Sequence, residues 1–394
     1  MRKFSIVSLA VILIGSVLAM WSPYRMATAP LQIGAFVLAA AWAVRLALPG
    51  AQAKWNPVLV PMCAPLLFAL GQLALNGTIY PRDTWNSAIY WGANLALFFV
   101  GLQTLVDGAL RRAFLNVLVV FGYFISVISP LQQLTAGGKV FWAFEVEDGN
   151  SVLGPFVYHN QFAAFMEMLL PLALWNGMVR PDKRVFYLVA AATMYASVIM
   201  SASKMGFALS TLEVLLVPIL VARRQRLDPV RLVAAAAVFA SLAVVLVWAA
   251  GAEKLWDRFQ VDDIYNERRE FTQSSLQMIR SRPLAGFGMG TWPVAYPRFA
   301  VIDNGKFINQ AHNDWAQWAV EGGLPFAAFM VWIAVWSLRR GFRTIWGLGG
   351  AIIFLHCFVD YPIQRAANAG IFFVLLSACA QPDEPSECPD LAME

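Results

Sequence analysis

Twelve apolar runs, each close to the length that crosses a bilayer, leave this 394-residue sequence few alternatives to a bundle of membrane helices. About 20 apolar residues in a helix cover the hydrocarbon core. By that ruler the spans fall near 4–21, 31–48, 57–75, 88–107, 113–131, 160–178, 185–202, 205–222, 231–250, 313–337, 344–362 and 367–380, the last being the shortest. Charged residues make up only 13% of the chain, against roughly a quarter in soluble domains. Fifteen Trp suit the aromatic belts at membrane interfaces. The expectation is an all-α polytopic membrane protein, a single integral membrane domain over 1–394. Ala27-Thr28-Ala29 looks like a signal-peptidase site, but Pro30 follows directly, so the first run reads as an uncleaved span.

Orientation follows from Lys and Arg in the short loops. With the N-terminus cytoplasmic, one side collects sixteen of them, from Arg2 and Lys3 through Arg111 and Arg112 to Arg339, Arg340 and Arg343. The short loops of the other side hold five: Arg25, Arg82, Lys139, Lys204 and Arg365. Both ends are therefore expected on the cytoplasmic side of the membrane. The net charge of +5 reads as this topological bias and not as a nucleic-acid footprint. Cys63, Cys357 and Cys379 lie in apolar runs and Cys388 in the tail, so four free thiols are expected.

Two outer segments are long. Residues 132–158 carry Gly137-Gly138 and acids between Glu145 and Asp148. Residues 251–311 form the one large extramembrane loop, with eight basic residues. Within it, Phe271, Ser275, Met278 and Ile279 recur at helical spacing, so an amphipathic helix is expected from Asn266 to Arg282, ended by Pro283. Gly286, Gly288 and Gly290 then make a turn-rich stretch. Residues 381–394, with three prolines and five acids, read as a disordered cytoplasmic tail.

Two of the three histidines occur as His159-Asn160 and His312-Asn313, each just after a long outer segment and just before an apolar run. Beside them the outer face offers Lys204, Arg268, Arg269, Asp314, Glu321, Asp360 and Arg365. Histidine is the default general base near neutral pH. Fixed cations at a membrane surface suit a substrate carrying phosphate or diphosphate. A base plus cations, without a nucleotide fold, fits transfer of a group from a lipid-linked diphosphate, which is already a good leaving group. Three scattered histidines without HExxH leave little for a metal, and no cofactor is expected. The glycines at 286, 288 and 290 lack dinucleotide spacing. Plainer readings stand beside these: a His-Asn pair as a helix N-cap, Arg268 and Arg269 as a solvated helix face, Lys204 as a snorkelling cation. Glu167 and Glu213 lie within spans, where ionisable groups are costly. His356, within the eleventh span, reads as a packed polar bridge.

Taken together, the motifs resemble the O-antigen ligase and polymerase superfamily of bacterial membrane glycosyltransferases. They are Tyr158-His159-Asn160-Gln161-Phe162-Ala163, Ser201-Ala202-Ser203-Lys204-Met205-Gly206, Arg268 ahead of Pro283 to Gly290, and His312-Asn313-Asp314 with Glu321-Gly322-Gly323-Leu324. The resemblance covers most of 140–375 and implies a GT-C-like fold. It implies metal-independent, inverting transfer of a glycan from undecaprenyl diphosphate to lipid A–core at the periplasmic face, or to a second lipid-linked glycan in a polymerase. It also implies His312 as catalytic base and Arg268, Lys204 and Arg269 on the diphosphate. His159, Asn160, Asn313 and Glu321 would line the cavity. Lys204 stands where the family usually has arginine, which keeps the charge and loses the bidentate fork. A transporter or flippase for lipid-linked sugars is the alternative of another class, and the internal repeats common in transporters are not evident.

Overall fold

The computed structural model describes residues 1–22, 25–146, 152–225, 263–301 and 307–381, with a few single residues between them. Most of the ninth expected span, the loop up to residue 262, and the tail from 382 with Cys388 lie outside the described residues. The other eleven expected spans are each occupied by helix: Arg2–Leu18, Arg25–Ala47, Leu59–Met62 with Ala64–Ala74, Pro81–Thr104, Gly108–Thr135, His159–Val179, Arg184–Met200, Lys204–Gln225, Asp314–Gly341, Trp346–His356 and Ala366–Cys379. Among the described residues, six helical stretches are long and apolar enough to cross a membrane: Ala27–Ala47, Gly108–Thr135, His159–Val179, Pro181–Met200, Lys204–Arg223 and Asp314–Gly341. Ala64–Ala74, Trp346–His356 and Ala366–Cys379 are apolar but shorter. The chain is thus a multi-pass, all-α membrane protein. Among the described residues its only bridges outside helices are Val140 with Phe144 and Leu153 with Phe156. Ala27-Thr28-Ala29 lies inside the helix Arg25–Ala47.

His159–Val179 is apolar on every side, and nearly all of it is buried; a helix apolar all round belongs in the middle of a bundle. It packs against Arg184–Met200, Lys204–Gln225 and Trp346–His356. Without water to expel, helices in lipid are held by close packing, and small residues let backbones approach. Gly349 does this here: a Cβ at that position would stand 2.7 Å from the Met168 carbonyl oxygen. Cys63, Cys357 and Cys379 are free thiols.

One end of the bundle gathers residues of the basic side. Arg340 donates to the carbonyls of Cys379 and Gln381, Arg111 to that of Leu105, and Arg2 to that of Gln103. These cations close the free carbonyls at helix ends, where the helix dipole favours positive charge. Because Asp314–Gly341 and Ala366–Cys379 run toward that end, their N-termini lie at the opposite one, where the candidate site is built.

Among the described residues, the third expected span divides at Cys63, and two others also depart from a continuous helix. Asp314–Gly341 breaks at Gly323, whose φ of 74° and ψ of 178° are not helical. The carbonyls freed there are taken up by the glycine-rich turn, since Phe287 N–H donates to Val320 O at 2.9 Å and Gly288 N–H to Glu321 O at 3.0 Å. Leu324 N–H returns a bond to Pro283 O at 2.8 Å. The two motifs, Pro283 to Gly290 and Glu321 to Leu324, are therefore one docked unit. The eleventh run ends as a helix at His356, short of 362. Asp314 holds the turn that follows: its carboxylate accepts from the Ile363 N–H, the Gln364 amide and the Cys357 thiol. Pro362 also keeps Tyr361 out of helical geometry, at φ −126° and ψ 55°.

Candidate active site

Four pieces of chain meet at this end: the start of His159–Val179, the loop helix Asp263–Ser281, the turn before Asp314, and the turn 357–361. The amphipathic helix expected over 266–282 is present, with Phe271, Ser275 and Met278 buried and Ile279 partly so. Its buried face seats Trp292, whose indole N–H donates to Ser275 Oγ at 3.0 Å.

Asp360 is the hub. It is fully buried, and its carboxylate accepts from Tyr158 Oη at 3.0 Å, from the Asn160 amide and from the Tyr361 N–H at 2.8 Å. Arg268 pairs with the same carboxylate at 3.5 Å, and also donates to Tyr158 Oη at 2.6 Å and Val359 O at 3.0 Å. A buried charge is tolerated only when paired and hydrogen-bonded, which this set provides. Burial and the Asp360 charge push the Tyr158 phenol well above its ordinary value, so it remains a donor.

His312 lies against this hub. Its φ is +51°, a left-handed backbone that histidine adopts more readily than most residues but which still costs on the order of 1–3 kcal/mol. Neighbours on both sides hold it there. Ala311 N–H donates to Gln317 Oε1 at 3.1 Å, Asn313 Oδ1 caps Ala316 N–H at 3.0 Å, and Asp314 N–H donates to Cys357 O at 2.9 Å. The ring stacks on Phe271 at 5.9 Å and meets Tyr361 edge-on at 4.9 Å. Nδ1 faces Asp360 Oδ1 at 3.9 Å, a charge-pair distance longer than a hydrogen bond. Burial lowers the imidazole below its ordinary value of 6.5 and Asp360 opposes that, while Arg268 and Arg365 lower it further. A neutral imidazole beside a carboxylate and two cations is equipped to accept a proton at neutral pH.

The sequence candidates separate clearly in space. Arg268 is in the cluster with its side chain 19% exposed, whereas Arg269 is exposed on the next position of the helix. Asn160 holds Asp360 and has no capping role; Asn313 caps its helix. His159 is half-buried with its ring 5.0 Å from Tyr158. Lys204 opens its helix behind Ser203, whose hydroxyl accepts the Gly206 N–H at 3.1 Å. Gly206 lies against Ala163, which puts Lys204 at the same end of the bundle as His159. Glu321 does not reach His312: its carboxylate accepts from the Gly290 N–H, the Trp292 N–H and the Gln317 amide. It forms part of the wall of a cavity of about 550 Å³ that borders the cluster through Gln310, Gln364 and Arg365. Away from the site, Glu167 and His356 are each other's buried partners, with Nδ1 2.9 Å from Oε2. Glu213 is also buried, and among the described residues neither of its carboxylate oxygens has a hydrogen-bond partner.

Asp360 and Tyr158 are the residues that sequence reasoning underrated. Asp360 stands 48 positions after His312, at the close of an apolar run, with no spacing that ties the two. The one signal was an unneutralised acid at a membrane face.

Residues 189–330, just over a third of the chain, match the family model described as O-antigen ligase. None of the curated proteins matches the chain. The matched segment contains Lys204, Arg268, His312 and Glu321, while Tyr158, Asn160 and Asp360 lie outside it. The match supports the resemblance to the O-antigen ligase and polymerase superfamily, and with it an enzyme of polysaccharide assembly within the membrane.

Proposed function

We propose, from the resemblance to O-antigen ligases and from the cluster around Asp360, that this chain is a ligase-type glycosyltransferase. In this reading it moves a glycan from undecaprenyl diphosphate to lipid A–core at the periplasmic face. The acceptor hydroxyl oxygen attacks the anomeric carbon and His312 takes the hydroxyl proton. The bond from that carbon to the diphosphate oxygen breaks as the new glycosidic bond forms, with inversion. Undecaprenyl diphosphate leaves as the anion, so no acid is needed, and Arg268 and Lys204 neutralise its charge. Neither a metal nor a cofactor enters the scheme, because side chains supply the base and the charge.

The observation that carries the reading is the environment of His312, neutral by burial and facing a fixed carboxylate at 3.9 Å. Asp360 acts as a positioning residue: it orients the imidazole and stabilises the imidazolium that forms as the proton arrives. Arg268 joins the two halves of the task, since it is bonded to the Asp360 hub while carried on the loop helix.

The acceptor is tested by the products of a deletion strain. Loss of capped lipopolysaccharide with lipid-linked glycan still made is the expected result. Single repeats still attached to core would mean a polymerase, and unchanged lipopolysaccharide would overturn the reading.

A further inference from the structure

We propose that the cavity of about 550 Å³ that borders the His312 cluster through Gln310, Gln364 and Arg365 binds the sugar end of the acceptor, and that this sugar carries an anionic substituent. The proposal rests on the glycosyltransferase reading above and adds the second substrate's place.

Position is the first argument. Gln310 in the cavity wall is two residues before His312, and Gln364 and Arg365 follow Tyr361, whose ring meets the imidazole at 4.9 Å. The cations assigned to the donor, Arg268 and Lys204, do not line this space. A proton acceptor must reach the hydroxyl it activates, and Arg365 joins the two places: it lines the cavity, lies over the Tyr361 ring that meets His312, and its charge acts on the imidazole. A cavity that reaches the His312 cluster in this way without the donor cations suits the other reactant.

The lining chemistry is the second argument. Gln32, Asn86, Gln310 and Gln364 surround the space with carboxamides. Each carboxamide can donate and accept, which matches the hydroxyl groups of a sugar. Gln310 Oε1 has no hydrogen-bond partner among the described residues. The volume falls within the ~300–1,000 Å³ of small-ligand sites.

Charge narrows the ligand class. Arg25, at the start of its helix, and Arg365 both line the cavity. Its two carboxylates are Asp83 and Glu321. Glu321 is already occupied by three donors from the protein, and among the described residues no ion pair joins either acid to Arg25 or Arg365. Arg365 is steadied over the Tyr361 ring, 5.5 Å from its centroid. Guanidinium groups recognise phosphate and carboxylate by paired hydrogen bonds, so an acceptor sugar bearing either one fits.

The full-length protein in proteoliposomes tests this, with undecaprenyl-diphosphate-linked glycan as donor and rough lipopolysaccharide as acceptor. Initial rates are measured while each substrate is varied in turn. Arg25→Gln should raise the acceptor KM about tenfold, the loss of one charge-assisted hydrogen bond, with the donor KM unchanged. Asn86→Ala, which removes no charge, should raise the acceptor KM less. Dephosphorylated rough lipopolysaccharide should carry the same penalty with the wild type and add nothing in Arg25→Gln. An unchanged acceptor KM in both variants overturns the proposal. So does a rise in donor KM instead, which would place these arginines on the donor. A wild type that leaves the donor intact overturns the underlying glycosyltransferase reading, a distinct outcome.

Discussion

Replacing Asp360 by Asn keeps size and shape while removing the charge on which the site is organised. The carboxylate now accepts from Tyr158, Asn160 and the Tyr361 N–H, and pairs with Arg268. An amide has one accepting oxygen, so its NH2 must face donors on one side or the other. At least two contacts to a charged group are lost or reversed, each worth roughly 1.5–3 kcal/mol. That is about 3–6 kcal/mol of local organisation as an upper bound. At ~1.36 kcal/mol per factor of ten, a loss of about 10 to 10⁴ in kcat/KM is expected if roughly half of it or more reaches the transition state. Release of glycan from the polyprenyl carrier, followed across pH in proteoliposomes, is the assay. The Asp360 charge raises the His312 pKa, so its removal should move the acid limb of the profile to lower pH, besides lowering the plateau. A residue that merely supports the fold would lower the plateau and leave the limb in place. Wild-type kcat/KM with an unmoved limb would refute the argument.

Arg268→Ala should weaken donor use more than Arg269→Ala, because Arg268 reaches the hub and Arg269 faces outward. The Arg268 charge lowers the His312 pKa, so the same variant should move the acid limb to higher pH, opposite to Asp360→Asn. The two asparagines separate by assay. Asn313→Ala removes a helix cap and should cost about 1 kcal/mol of stability, seen in thermal unfolding, whereas Asn160→Ala should show mainly as lost turnover because it releases Asp360. Gly323→Ala should be destabilised by several kcal/mol, of which on the order of 1–3 comes from the left-handed backbone. The remainder comes from the clash of the new Cβ with the Leu284 carbonyl oxygen, and a lower Tm in detergent would report it.

Much of the scaffold is legible in the sequence because the length of an apolar run responds directly to the bilayer. The amphipathic loop helix is legible for a similar reason, since Phe271, Ser275 and Met278 repeat at helical spacing. The break at Gly323 is not. It lies inside an apolar stretch, and only its pairing with the Phe287 and Gly288 N–H groups from a distant turn makes it stable. The early end of Trp346–His356 is hidden in the same way, because Asp314 from another helix holds the turn beyond it. Within the site, the two His-Asn pairs look alike in sequence and differ in space. Asn313 does what a residue before a helix ordinarily does, while Asn160 reaches Asp360, 200 positions away. His312 and Arg268 stand out by residue type and place. Asp360, which ties them together, belongs to no motif and is visible only once the fold brings it in.

In the proposed reaction His312 is the base that activates the acceptor. His312→Ala in proteoliposomes, with donor and rough lipopolysaccharide both supplied, tests it most directly. An intact donor and no transferred glycan are expected, in a protein that still unfolds at the wild-type temperature. Glycan leaving the polyprenyl carrier at the wild-type rate would contradict it.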